Sequence, residues 1–283
     1  MSGLRHTKDA PGAKPTLIAE TGRLLLILFA VTSVLVPLLW IGFAAFRTPM
    51  DLTNPGSFTI NPTLENMREV AKGDIPGASY RSFLVGGITT IIGLVVGSMA
   101  GYSISRFKTG GVALRFAILF PTIIPPTVLA FPLLALALQI NISDSLFAVI
   151  AAHLTIVVPM ITWFMTGFFA GVPREIEEQA AIDGLGPFRT FFQVVIPNVL
   201  PGLGASALLA FMLSWNELFY ALVLAPGDSQ TLPVAISAFN TFQGVKLGPM
   251  SAALLLTVTP VIFLSFFIQK RLVQGLGASG VKG

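Results

Sequence analysis

The 283-residue chain has no cysteine, only two histidines, and charged side chains at just 11% of its positions. Without cysteine there can be no disulfide frame, no thiolate nucleophile and no thiolate metal ligand. A water-soluble domain carries about 25% charged residues, so the usual charged shell around an apolar core is missing. The net charge of +4 is small and its basic residues are spread over many segments, which excludes a dedicated nucleic-acid surface. No G-x-x-x-x-G-K-[ST] phosphate loop, G-x-S-x-G elbow or His/Glu metal cluster occurs, so no enzyme activity is expected and no cofactor of the chain's own.

Hydrophobic residues make up 54% of the chain. They fall in runs that approach or exceed the roughly 20 residues a helix needs to cross a bilayer, whereas a membrane β-barrel would show short alternating segments. The expected fold is all-α, a polytopic membrane protein with six transmembrane helices. The spans are placed at about Leu24–Phe46, Phe83–Ile104, Val112–Ile140, Leu146–Ala170, Val199–Leu224 and Met250–Gln269. Leu24–Phe46 is too long for the core of a signal peptide and no small-residue cleavage site ends it, so it reads as an uncleaved first span. The expected organisation is an N-terminal tail (1–22), a six-helix membrane domain (23–270) and a C-terminal tail (271–283). Between the first two spans, "NPTLENMREV" suits a short surface helix.

Individual spans carry further signals. Gly93, Gly97 and Gly101 recur every fourth residue, which makes a smooth stripe for close helix packing. The third span contains Pro121, Pro125, Pro126 and Pro132, and no straight helix holds four prolines. In lipid the freed backbone groups need cover from protein or from a water-filled cavity, so a broken helix near a translocation path is expected around Pro125 and Pro126. The fourth span holds His153, read as a hydrogen-bonded packing residue. The fifth carries Trp215, Asn216 and Glu217. Glu217 is the one carboxylate deep in a span, where ionisable groups are costly and mark functional sites by default. With Trp215 and Asn216 it forms a polar-plus-aromatic set suited to hydroxyl-rich ligands. Anchoring the fifth span to a neighbouring helix or a partner subunit is the equally open alternative.

Six spans put both termini on one side. That side then holds 12 of the 17 Lys and Arg residues, from Arg5 in the N-terminal tail to Lys282 in the C-terminal one; Arg47, Arg68, Lys72, Arg81 and Lys246 fall opposite. The positive-inside rule places the richer side, with both termini, in the cytoplasm.

That side also carries the polar interruption Pro173–Pro197. Four of the 13 acidic residues, Glu175, Glu177, Glu178 and Asp183, lie here within nine positions. Pro173 suits a helix's first turn and the glutamates its positive end. Gly184 and Gly186 suit its stop, and Pro187 the start of a second short helix. Ile176, Gln179, Ala180 and Asp183 share one face by i, i+3, i+4, i+7 spacing.

The interruption resembles the "EAA" loop of ATP-binding-cassette (ABC) importer permeases. That pattern runs Glu-Ala-Ala, three residues, Gly, nine residues, then Ile-x-Leu-Pro. This chain has Glu178-Gln179-Ala180, Gly184 and Val194-Val195-Ile196-Pro197 at the same spacing, with Gln179, Val194 and Ile196 as departures. "GYSISRF" (101–107), "IIPP" (123–126), "SWNELFYALVL" (214–224), "TLPVAI" (231–236) and "GLGASGVKG" (275–283) are similar to the carbohydrate-uptake branch, the maltose-type second membrane subunit. The resemblance implies a pore subunit of the bacterial cytoplasmic (inner) membrane. It implies as partners a second, different permease subunit, an extracytoplasmic solute-binding protein and two cytoplasmic ATPases, which bind the ATP and Mg. Glu178, Gln179, Ala180, Asp183, Gly184 and Pro197 are then the ATPase-coupling residues, and the terminal "GASGVKG" reaches toward the same interface. Trp215, Asn216, Glu217, Pro125 and Pro126 are the pathway candidates. The implied substrate is a sugar or oligosaccharide, with a polyol or a glycerophosphodiester as neighbours in the same class. An ion-coupled secondary transporter would need coupling residues or an inverted repeat, and the sequence offers one deep carboxylate and no evident repeat. An intramembrane enzyme would need a nucleophile–base pair, and His153 and Glu217 lie on separate spans outside any catalytic motif.

Overall fold

A computed structural model of the chain describes residues 17–53 and 62–279, with side chains over 20–53 and 62–263. The expected N-terminal tail up to residue 16 and the last four residues of the C-terminal tail lie outside the described residues. Among the described residues the architecture is all-α apart from one hairpin of two-residue strands. Among them, three helices are long and apolar enough to cross a membrane: α1 (Leu17–Ala45), α4 (Ile75–Phe107) and α7 (Leu146–Ala170), the first qualifying over Glu20–Ala45. Two further stretches qualify only as bent pairs. α5 (Gly111–Ile123) meets α6 (Pro126–Gln139) at 93°, and the segment Pro187–Asn198 meets α11 (Leu200–Trp215) at 80°. Counting each pair as one span gives up to five among the described residues. The sixth expected span lies in α14 (Leu247–Ser279), whose described apolar part is Leu247–Phe263.

Local chemistry explains these boundaries. Pro76 sits in the first turn of α4, which starts eight residues before the expected Phe83. This draws Arg81 into the helix, where it pairs with Asp74 and donates through Nε to the Gln230 carbonyl at 2.7 Å. α4 ends at Lys108, in left-handed conformation with φ 51°. Ser145 caps α7, its Oγ accepting from the Ala148 N–H. The bend between α5 and α6 falls at Ile124–Pro125, whose extended ψ angles of 128° and 139° stop one helix and aim the next. The fifth span differs from expectation. It is not one helix over Val199–Leu224: α11 stops at Trp215, and a separate short helix, α12 (Phe219–Leu224), follows a break at Asn216–Leu218.

Short elements complete the chain. α2 (Pro49–Thr53) and α3 (Glu65–Lys72) follow α1, and α3 is more than a surface helix. Its Asn66 is buried and donates to the carbonyls of Ala45 (3.0 Å) and Arg47 (2.8 Å), pinning the end of α1. After α12 come α13 (Leu232–Ser237) and the hairpin β1 (Asn240–Thr241) and β2 (Gly244–Val245).

Among the described residues, buried side chains form three clusters. One joins α6, the first half of α7 and α12 around Val149, Tyr220 and Leu224. A second gathers the end of α1, α3, the start of α4, Trp215 and α14. The third lies along the second half of α7, around Ile161, Met165, Phe169 and Phe191. α4 and α7 pack side by side, with Gly93, Gly97 and Gly101 facing Val157, Ile161 and Thr162–Thr166. The expected smooth stripe is therefore a real helix–helix seam.

Candidate functional site

The Pro173–Pro197 interruption folds as two short helices with a sharp turn between them. Pro173 is extended (ψ 137°) and leads into α8 (Arg174–Ile182), with Glu175 and Glu177 in its first turn. The helix ends in a Schellman turn. Gly184 N–H donates to the Ala181 carbonyl at 3.1 Å, Leu185 N–H donates to the Ala180 carbonyl at 3.0 Å, and Gly184 has φ +84°. Only glycine takes that conformation without strain. Pro187 then opens α9 (Pro187–Thr190), a π turn follows over Phe191–Val195, and Pro197 lies in the single turn α10 (Ile196–Asn198).

The loop has two faces. Ala180 is buried and Ile176 packs against the third cluster, so this part of the i, i+3, i+4 stripe faces the chain's own bundle. Gln179 and Asp183, expected on the same stripe, are exposed beside Glu178. Two large apolar side chains join them on the outer surface: Ile182 is 85% exposed and Phe188 71%. Neither belongs to the loop's family pattern, although an isoleucine just before the Asp-Gly stop of a polar helix is a signal for an outward apolar contact.

A second unforeseen feature ties the loop to the bundle. Glu177 accepts from Tyr102 Oη at 2.6 Å through one carboxylate oxygen and from Arg106 Nε at 2.5 Å through the other. Arg106 also donates to the Val172 carbonyl (2.9 Å), and Arg174 donates to the Arg106 carbonyl (3.0 Å). The Arg106 and Glu177 side chains are only 7% and 16% exposed. Burial offsets much of the attraction in such a shielded pair, but deleting one partner leaves the other charge poorly solvated and costs more than the roughly 0–1 kcal/mol of a surface ion pair. The Tyr102 ring packs against Phe169 and Phe191, with centroids 5.5 and 4.8 Å away. The end of α4, the end of α7, the start of α8 and the π turn thus meet at one point.

The pathway candidates separate into different environments. Trp215 is buried, stacks on Phe211 and donates through Nε1 to the Thr257 carbonyl at 3.3 Å, joining α11 to α14. Asn216 is exposed at the break and donates to the Met212 carbonyl at 2.8 Å. Pro125 and Pro126 are exposed at the 93° bend. Glu217 turns back into the protein. Its carboxylate accepts from the backbone N–H groups of Phe219 (2.9 Å), Tyr220 (3.0 Å) and Ala221 (3.3 Å), which the broken helix leaves without carbonyl partners. Oε2 lies 3.2 Å from His153 Nε2, and His153 Nδ1 lies 2.7 Å from Ser214 Oγ. A carboxylate only accepts, so Nε2 is the donor and the imidazole links the two sides of the break. The geometry favours the anchoring alternative for Glu217. Among the described residues no group of three or more His, Asp or Glu side chains is placed to hold a metal.

The chain matches known proteins along most of its length. Residues 93–277 match the model of the family described as "binding-protein-dependent transport system inner membrane component". The chain is 32% identical over 255 residues to the trehalose transport system permease protein SugB of Mycobacterium tuberculosis, covering 88% of this chain and 93% of that one. It is 32% identical over 256 residues to the maltodextrin transport system permease protein MdxG of Bacillus subtilis, covering 88% and 91%. Among solved structures, a bacterial ABC transporter involved in import of the acidic polysaccharide alginate shares the fold, with a TM-score of 0.68 at 18% identity over 92% of this chain and 99% of that chain. The match to the family model and the identity to these permeases agree with the loop and the apolar helices: the chain belongs to the binding-protein-dependent transport system inner membrane components, the multi-pass permease subunits of ABC importers, and is not their ATP-hydrolysing subunit.

Proposed function

We propose that this permease forms the membrane pathway for a sugar or oligosaccharide, together with a second and different permease subunit. The observation carrying the substrate class is the identity to the trehalose and maltodextrin permeases over nearly nine-tenths of the chain. An extracytoplasmic solute-binding protein delivers the substrate and two cytoplasmic ATPases supply the energy. α8 is the coupling helix. Glu178, Gln179, Asp183 and the outward Ile182 meet the ATPase, while Ala180, Gly184 and Pro197 set the loop's shape. The Lys and Arg asymmetry supports cytoplasmic placement of this loop and of both termini. Pro125, Pro126 and Asn216 are the pathway candidates left open to solvent or substrate, while Trp215 and Glu217 hold the helices that present them.

Reporter fusions check the orientation. A fusion after Gly110 or near Gly186 is expected to report the cytoplasm, and one within 54–77 the opposite side. The reverse pattern discards the topology.

The coupling role is tested at Gly184, whose φ of +84° a β-branched side chain resists by about 1–3 kcal/mol. Nothing lies within 4 Å of the added Cβ, so the effect is confined to the turn. Gly184→Val is expected to leave membrane abundance near normal while ATPase co-purification and sugar uptake fall. Gly111→Val is the control: it too has positive φ (57°) with open space around it, but in the other loop. Equal, near-wild-type behaviour of both variants would reduce Pro173–Pro197 to a solvated connector.

A further inference from the structure

The loop is joined covalently to α7 through Gly171, Val172 and Pro173 alone, and a three-residue connection transmits a push poorly unless something stiffens it. We propose that Glu177, Arg106 and Tyr102 form a mechanical tie that makes α8 move with α4, so that Glu177 is a positioning residue for coupling. The proposal rests on α8 being the coupling helix.

Four observations carry it. Both oxygens of Glu177 are engaged by α4, through Tyr102 Oη and Arg106 Nε. Arg106 spans the connection itself, because it also holds the Val172 carbonyl just before Pro173. Arg174, the first residue of α8, reaches back to the Arg106 carbonyl, so the tie is made from both sides. Finally, α4 cannot slide freely against α7, because Gly97 and Gly101 bring its backbone into close contact with Ile161 and Thr162. A displacement of α8 therefore reaches the α4–α7 seam as a rigid-body motion, the kind of switch that packed helices support. None of the three tie residues belongs to the outer surface of the loop, where Glu178, Gln179, Ile182 and Asp183 are exposed. Docking and transmission are thus assigned to different side chains.

The experiment uses the full transporter in lipid vesicles with its binding protein and ATPases. Glu177→Ala is expected to keep ATPase co-purification near wild type, while binding-protein-stimulated hydrolysis and uptake both fall about tenfold, within the usual range of coupling between sites. The chain has no cysteine of its own. The pair Arg106→Cys with Glu177→Cys can therefore be joined by a short thiol-to-thiol crosslinker, and crosslinking is expected to restore stimulation. A merely local structural role would not be rescued in this way. Gly184→Val and Ile182→Asp run alongside as docking variants. Wild-type stimulation in Glu177→Ala while the docking variants release the ATPase would overturn the tie and leave the coupling helix standing. Loss of the ATPase in Glu177→Ala would also overturn it, by making Glu177 a docking residue. Normal co-purification and stimulation in all of these variants would overturn the coupling reading itself.

Discussion

Replacing Glu217 with alanine is expected to leave little folded permease to extract from the membrane. The carboxylate receives three backbone N–H groups and faces His153, and its side chain is only 10% exposed. Alanine removes every one of these acceptors at once, inside a segment that water does not reach freely. Breaking a buried ionic or polar anchor by deleting one side costs about 3–5 kcal/mol. That is a large part of the roughly 5–15 kcal/mol by which a domain is stable. Glu217→Gln keeps one carbonyl oxygen for the amides of Phe219 and Tyr220 and loses the second acceptor, for a smaller cost of about 1–3 kcal/mol. The measurement is the yield of monodisperse transporter and its Tm, beside uptake. The expected order is wild type, then glutamine, then alanine in both. If the alanine variant keeps its yield and Tm while uptake alone falls, Glu217 acts on the substrate path and does not hold the break.

The other large effect is expected at Gly97. A Cβ there would lie 2.8 Å from Ile161 Cγ2 and 3.2 Å from the Thr162 backbone nitrogen. Ile161 is itself fully buried, and the backbone atom belongs to the core of α7, so neither can yield without parting the two helices. Overpacking a tight core costs about 1–3 kcal/mol, and here a backbone contact adds to the side-chain clash. Gly97→Val is therefore expected to lower Tm by several degrees and to abolish most uptake. Gly87→Val is the matched control, because a Cβ at Gly87 meets nothing within 4 Å. Equal Tm values for the two variants would show that the α4–α7 seam is looser than its geometry.

Much of this arrangement was legible from punctuation. Glycine every fourth residue marked the seam, prolines marked the bend before α6, and Gly184 and Pro187 marked a helix stop and restart. Each of these residues states a local backbone requirement, which is why it can be read without a partner. The interruption at Asn216–Leu218 carries neither glycine nor proline, so hydropathy ran α11 and α12 together as one span. The reason for the break is a side chain that captures backbone amides, and a glutamate in an apolar run does not announce that use. Long-range pairings were equally silent. Glu177 meets Arg106 from 71 positions away and His153 meets Glu217 from 64, and no periodicity spans such distances. All four residues stand out in the sequence, as loop charge, motif member, packing residue and deep carboxylate; only their adjacency is hidden there. Ala180 and Ile176 show a related limit: spacing placed them on one face, and only the packed bundle decides which way that face turns.

The separation of His153 from Glu217 has a consequence for how the protein is made. His153 lies in α7, and the residues that satisfy its two ring nitrogens, Ser214 and Glu217, follow 61 and 64 positions later. At a synthesis rate of about 5–20 residues per second, that is an interval of about 3–13 s. For that time α7 exists with an imidazole that has none of its final partners, whether it waits beside the insertion machinery or in lipid. The two ring nitrogens of His153 are therefore satisfied only once α11 and the break after it have been made, so the order of synthesis ties this part of α7 to the emergence of Glu217.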